Sequence, residues 1–163
     1  MSRHPLEPVP TVIALFRRAT GLMVEELLQR LTAAGFPDVT ASEHLVFENL
    51  PPGGARLTEI AARAGMSHQA AGELVAGLEA RGYLERRSDP SDGRARLVLL
   101  TSEGRRLVRA ALREIVAIQD SWSHYLATGG LSVELLPLLH GAVRRAEAER
   151  APGRRPGSVL DRG

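Results

Sequence analysis

The chain has no cysteine among its 163 residues. That excludes disulfides, thiolate metal sites and thiol redox switches, and leaves oxidation of Met23 or Met66, apart from the initiator, as the only sulfur chemistry. Lysine is missing too, so all 21 basic residues are arginine. A GC-rich genome produces that bias, and arginine also suits recognition of phosphate and guanine. Although 44% of the residues are hydrophobic, no uninterrupted apolar run could cross a bilayer. The opening MSRHPLEPVP has no apolar segment of the secretory kind, so a cytoplasmic protein without membrane attachment is expected. Catalytic signatures are absent as well: HExxH, P-loop, GxSxG and dinucleotide fingerprints do not occur. His4, His44, His68, His124 and His140 are scattered without ligand spacing. No enzyme activity, cofactor or metal site is expected. The length suits one sizeable core rather than two independent domains.

What the chain does contain is concentrated between Leu57 and Thr101, which reads LTEIAARAGMSHQAAGELVAGLEARGYLERRSDPSDGRARLVLLT. Thr58 is the expected cap of a helix with Ile60, Ala61 and Ala64 at helical spacing. Gly65 ends it in a tight turn, and Ser67 caps a second helix with an apolar stripe of Ala71, Leu74, Val75 and Leu78. The opposite face carries Gln69, Gly72, Glu73, Ala76 and Ala80, polar at its start and small along its length. Gly82 stops this helix. Tyr83–Arg87 and Arg96–Leu100 then read as strands on either side of the turn formers Asp89-Pro90-Ser91-Asp92-Gly93. This order is that of a winged helix-turn-helix, a fold that places one helix in a DNA groove.

LTEIAARAGMS, LVAGLEARGYLERR and above all Asp92-Gly93-Arg94 followed by LVLLT resemble the DNA-binding core of the MarR family of bacterial transcriptional regulators. The likeness extends over roughly residues 10 to 148. It implies a mainly α fold with a small β-wing, in which the winged helix-turn-helix is flanked by N- and C-terminal dimerisation helices. The partners implied are double-stranded DNA and a second copy of the chain. The resemblance also implies that Arg94, at the wing tip, enters the minor groove, where narrow A/T-rich sequence concentrates negative potential. Asp92 is then expected to orient that guanidinium, or to serve simply as a turn residue.

Other contacts follow from chemistry. Gln69 can bind adenine N6 and N7 together and is the leading base reader; contact with water or phosphate is its alternative. Ser67 and His68 at the helix start, and Thr58 at the preceding one, suit phosphate. Ala70 can touch a thymine methyl or pack inward. Glu73 departs from the DNA-friendly residue many relatives carry; it repels phosphate, accepts from cytosine N4, or pairs with an arginine. Arg86, Arg87 and Arg96 are phosphate candidates on the wing strands. Net charge is only +2, but residues 81–106 hold 7 arginines against 4 acids, whereas residues 1–55 hold 4 against 6.

Around this core, Thr11–Ala34 has a long amphipathic pattern, Thr40 or Ser42 starts a helix through Leu50, and Ala55-Arg56-Leu57 suggests a short strand pairing with the wing. Thr101 is an expected cap with Gly104 inside the following helix, which runs towards Leu126. Ser132 caps a last helix to about Glu149, with Pro137 kinking its second turn. The expected organisation is 1–39 for an N-terminal dimerisation helix, 40–101 for the winged region, 102–150 for C-terminal dimerisation helices and 151–163 for a disordered tail that includes Arg154 and Arg155. Relatives of this kind often release DNA on binding a small aromatic or anionic effector. Candidate residues for such a pocket are Phe16, Arg17, His44, Phe47, Trp122 and Tyr125, each equally an ordinary core or interface residue. A winged-helix protein-interaction module, or a constitutive DNA binder, remains the alternative.

Overall fold

The computed structural model describes residues 11–129 and 135–150. Ser132 and the tail after 150, including Arg154 and Arg155, lie outside the described residues. Helix α1 spans Val12–Ala33, and Thr11 accepts the amide of Ala14 at 3.2 Å as its N-cap. Its second half is buried through Leu27 and Leu31; its first half leaves Val12, Ile13, Leu15 and Phe16 exposed. Helix α2 (Ala41–Glu48) starts from Thr40 in a reciprocal box, with Thr40 Oγ1 accepting the Glu43 amide and Glu43 accepting the Thr40 amide.

Strand β1 (Ala55–Arg56) leads directly into α3 (Leu57–Ala64), and α4 follows as His68–Ala80. Thr58 is not the cap of α3. The chain leaves the sheet at Arg56, so Arg56 takes the cap position and Thr58 falls in the first turn; Glu59 accepts the Arg56 amide at 2.9 Å. Gly65 ends α3 with φ 65°, a left-handed conformation that turns the chain toward α4, and Met66 N–H reaches back to Ala61 O at 3.0 Å. Ser67 accepts the Ala70 amide at 3.1 Å and caps α4. Ala71, Val75 and Leu78 of α4 are fully buried with Ile60 of α3 and Val46 of α2, and each large aliphatic side chain so placed contributes about 1.5–3 kcal/mol.

The wing consists of β2 (Leu84–Asp89) and β3 (Asp92–Leu100), joined antiparallel in a three-stranded sheet ordered β1-β3-β2. Arg86 stands opposite Val98 and Ser88 opposite Arg96, with an irregularity between Ser88 and Asp89. The strands reach further into the tip than the turn formers suggest, because Asp89 organises the turn: its Oδ1 accepts both Ser91 N–H at 2.8 Å and Ser91 Oγ–H at 2.6 Å. Helix α5 (Ser102–Thr128) is capped by Thr101, which accepts the Gly104 amide at 3.0 Å.

The chain divides into two compact units after Ile115. In the first, the buried Glu43 carboxylate accepts from Arg81 as well as from Thr40, and Tyr83 O–H donates to Asp38 at 2.8 Å. Burial, helped by Asp38, pushes the Tyr83 phenol up to about 12. This polar cluster joins the end of α4 to the start of α2 and leaves no buried side-chain polar atom unpaired among the described residues. In the second unit, α6 spans Leu135–Arg150, and Trp122 meets Tyr125 edge-on at 6.2 Å. Pro137 stands near the first described residue of α6, and the expected cap and first turn before 135 lie outside the described residues. Among the described residues no helix is long and apolar enough to cross a membrane.

Candidate nucleic-acid interface

The helix start and the wing face one open concavity of about 420 Å³, whose polar lining comes from Arg56, Thr58, His68, Arg86 and Arg96. Leu57, Ala95 and Val98 form its apolar part. Strand alternation explains which wing arginines take part. Arg86 and Arg96 share the sheet face of Val98, whereas Arg87 lies on the opposite face, where it pairs with Glu85 at 2.7 Å. Arg86 and Arg87 therefore cannot serve one surface together. Arg86 is held by Glu79 of α4 at 3.3 Å, while among the described residues Arg94 and Arg96 form no ion pair with a carboxylate. Both are exposed.

On α4, Ser67, His68, Gln69 and Glu73 are exposed, as the expected outer face requires, and Ala70 is half-buried. The Ser67 oxygen is used in capping, which leaves its hydroxyl proton free to donate outward. Gly72 departs from the expectation. It is half-buried beside Leu57, whose Cδ2 would lie 3.7 Å from an added Cβ, so it belongs to the α3–α4 contact. Glu73 pairs not with an arginine but with Gln69, whose Nε2 donates to its Oε1 at 3.1 Å; the two are four residues apart on one helix face. This occupies one of the two amide N–H groups and leaves the second N–H and the carbonyl oxygen of Gln69 for another partner.

Asp92 meets Arg94 through its backbone, accepting the Arg94 amide at 3.2 Å, and not through the guanidinium. The guanidinium near Asp92 is that of Arg56, at 3.5 Å, which also binds Asp89 at 2.7 Å. Arg56 and Asp89 are site residues that sequence reasoning missed. Asp89-Pro90-Ser91 was a detectable signal for a side-chain-supported turn, but nothing local marks a partner 33 residues away.

The hydrogen bonds from Ser91 and then Arg56 pull the Asp89 carboxyl down to about 2. Unfolded, the group titrates near pH 3.9, so the stabilisation it supplies as a carboxylate is complete above about pH 4 and is lost as pH falls through 2. Asp89→Asn should lower stability at pH 6 yet show a shallower decline between pH 4 and 2 in urea titrations. Parallel acid limbs in the two proteins would remove Asp89 as a source of the acid sensitivity.

The six candidate effector residues do not line this concavity. Phe16 and Arg17 are exposed on α1. On α2, His44 lies 3.9 Å from the Glu48 carboxylate, and Phe47 sets its edge against the Tyr83 ring at 6.4 Å. Trp122 and Tyr125 contact each other in the second unit.

Residues 38–95 match the family model described as MarR family. Among solved structures, CouR from Rhodococcus jostii RHA1 bound to p-coumaroyl-CoA is similar, with a TM-score of 0.64 at 23% identity, covering 90% of this chain and 95% of that one. The transcriptional repressor CouR bound to a 23-mer DNA duplex gives 0.61 at 23% identity, over 85% and 90% of the two chains. BpsR of Bordetella bronchiseptica, whose DNA binding is regulated by 6-hydroxynicotinic acid, gives 0.61 at 27% identity, over 83% and 98%. Among curated proteins none matches the chain significantly.

Proposed function

We propose that the chain is a winged-helix transcriptional regulator of the MarR family rather than an enzyme, and that it represses transcription as a cytoplasmic homodimer bound to a pseudo-palindromic DNA site. The observation that carries this reading is the convergence of Thr58, His68, Arg86 and Arg96 on one concavity beside the exposed start of α4, with Arg94 and Arg96 exposed on the wing and in no ion pair among the described residues. Ser67, His68 and Thr58 hold phosphate, Gln69 reads a base from the major groove, and Arg94 enters the adjacent minor groove.

The dimer is supported by apolar surface that stands open among the described residues: Val12, Ile13, Leu15 and Phe16 on α1, and Leu138 and Val143 on α6, are all more than half exposed. The helices before 39 and after 102 supply that interface, and a twofold pair of recognition helices matches half-sites about 34 Å apart. DNA selected from random sequence should carry an inverted repeat. Six to ten phosphate contacts would cost about 10³–10⁵ in affinity between roughly 50 and 200 mM salt. A monomer by light scattering at micromolar concentration would refute the dimer. Affinity flat in salt, or none at physiological salt, would favour a protein-interaction module.

Release by a small aromatic or anionic effector completes the proposal. It is supported by the ligand named for CouR and the regulator named for BpsR. A ligand preferring the non-binding geometry by about 3 kcal/mol shifts the equilibrium over roughly 100-fold. Phenolic and carboxylate compounds should include one that raises the melting temperature of free protein and weakens DNA binding, with both effects blunted in His44→Ala or Trp122→Ala. A broad set without such a compound would make the chain a constitutive binder.

A further inference from the structure

We propose that Arg56 is the positioning residue of the wing: through Asp89 and Asp92 it sets where Arg94 is presented to DNA. The inference rests on the DNA-binding reading above. Arg56 is the last residue of β1, paired with Leu97 of β3, and the next residue begins α3. Its backbone is thereby tied to both the sheet and the helix-turn-helix. Its Nε and Nη2 donate to Asp89 Oδ2 at 3.0 and 2.7 Å, and Nη2 lies 3.5 Å from Asp92 Oδ2. Each carboxylate passes the connection on. The other oxygen of Asp89 holds Ser91 through two hydrogen bonds, and Asp92 Oδ1 holds the backbone amide of Arg94.

The ladder alone does not specify this tip, because the β2–β3 register is irregular between Ser88 and Asp89. Side chains supply the missing constraint, and Asp89, at 7% exposure, is the most enclosed member of the chain of contacts. Arg56 itself is a poor phosphate ligand. One guanidinium faces two carboxylates, so the local charge is negative and its Nε and Nη2 are already engaged. Arg94, one hydrogen bond further along, carries no carboxylate partner among the described residues. The division of labour is that Arg56 anchors and Arg94 contacts.

The test uses the full chain and its selected operator, with A/T-rich or G/C-rich flanks, in the backgrounds native, Arg56→Ala, Arg94→Ala and the double variant. Arg56→Ala should weaken binding to the A/T-flanked duplex about tenfold and to the G/C-flanked one by less than about twofold, with the double variant no weaker than Arg94→Ala. Additive losses, or equal losses on both flanks, would overturn the proposal, since Arg56 would then touch DNA or act only through global stability. Asp89→Asn should reproduce the direction of Arg56→Ala with the guanidinium intact. In DNA-free protein, amide exchange at Ser91 and Arg94 should quicken about tenfold in Arg56→Ala while amides around Val98 keep their rates; unchanged exchange at the tip would equally overturn it. A native chain that bound no selected duplex would sink the DNA-binding reading itself, and tip exchange would still decide whether Arg56 orders the wing.

Discussion

Gly104→Ala is expected to lower the stability of the fold by about 3 kcal/mol. In a helix this exchange ordinarily gains about 1 kcal/mol from propensity. Here a Cβ would stand 2.1 Å from the backbone oxygen of Tyr83 and 3.1 Å from Leu100 Cδ2. The obstructing atom is backbone, held by Thr101 N–H at 3.1 Å, so it cannot swing aside as a side-chain end would. Gly104 N–H is meanwhile bound to Thr101 Oγ1, whose hydroxyl donates to Gly82 O at 2.6 Å. One methyl therefore opposes the whole junction between the wing and α5, and the clash outweighs propensity. Gly77→Ala on α4 is the control. Its nearest neighbours would be side-chain atoms of Arg81 and Glu43 at 3.7 and 3.8 Å, so it should be neutral or gain about 0.5–1 kcal/mol. Urea midpoints at equal m-value and equal protein concentration give the comparison. Equal midpoints for native and Gly104→Ala protein would mean that α5 can retreat from Tyr83 at little cost.

The other large effect is expected on DNA. Gln69→Ala should cost about 1–3 kcal/mol per half-site and relax preference at one symmetric base position. Gln69 is exposed near the start of α4, and its amide is already oriented by Glu73. Bidentate binding of adenine takes the amide oxygen and one N–H, so Glu73 opposes the contact where it turns the amide from the base, and it also repels phosphate. Glu73→Ala should accordingly tighten binding to all duplexes, most of all to those that carry the adenine read by Gln69. Arg94→Ala should weaken binding most where the flanks are A/T-rich. Selection profiles of the three variants separate the roles. Uniform weakening of every sequence by Gln69→Ala would place Gln69 on the phosphate backbone and leave base reading to another residue.

Much of the fold was legible because its signals are local. Thr40, Ser67 and Thr101 each cap the helix they precede, since a short hydroxyl side chain reaches an amide three residues on. Gly65 stops α3 because the reversal needs a positive φ. The helical stripe of α4 and the alternation of the wing strands follow from the same kind of short-range periodicity. The division of Arg86 from Arg87, both phosphate candidates from the sequence, came only with the register of the paired strands.

The departures share one physical cause, which is that a local signal was outvoted by a distant partner. Thr58 has the chemistry of a cap, yet Arg56 holds that place because β1 must end where its pairing with β3 ends. Asp92 was the obvious companion of the Arg94 guanidinium, but a nearer positive charge arrives from β1 and takes its carboxylate. Gly104 looked merely tolerated within a helix until Tyr83 was brought against it. Helix caps, turn residues and the chemistry offered to DNA were determined by neighbours in the chain. Which carboxylate meets which arginine, and where the backbone admits no side chain, was decided by tertiary packing, because a hydrogen bond between residues 33 positions apart has no trace in either residue's local context.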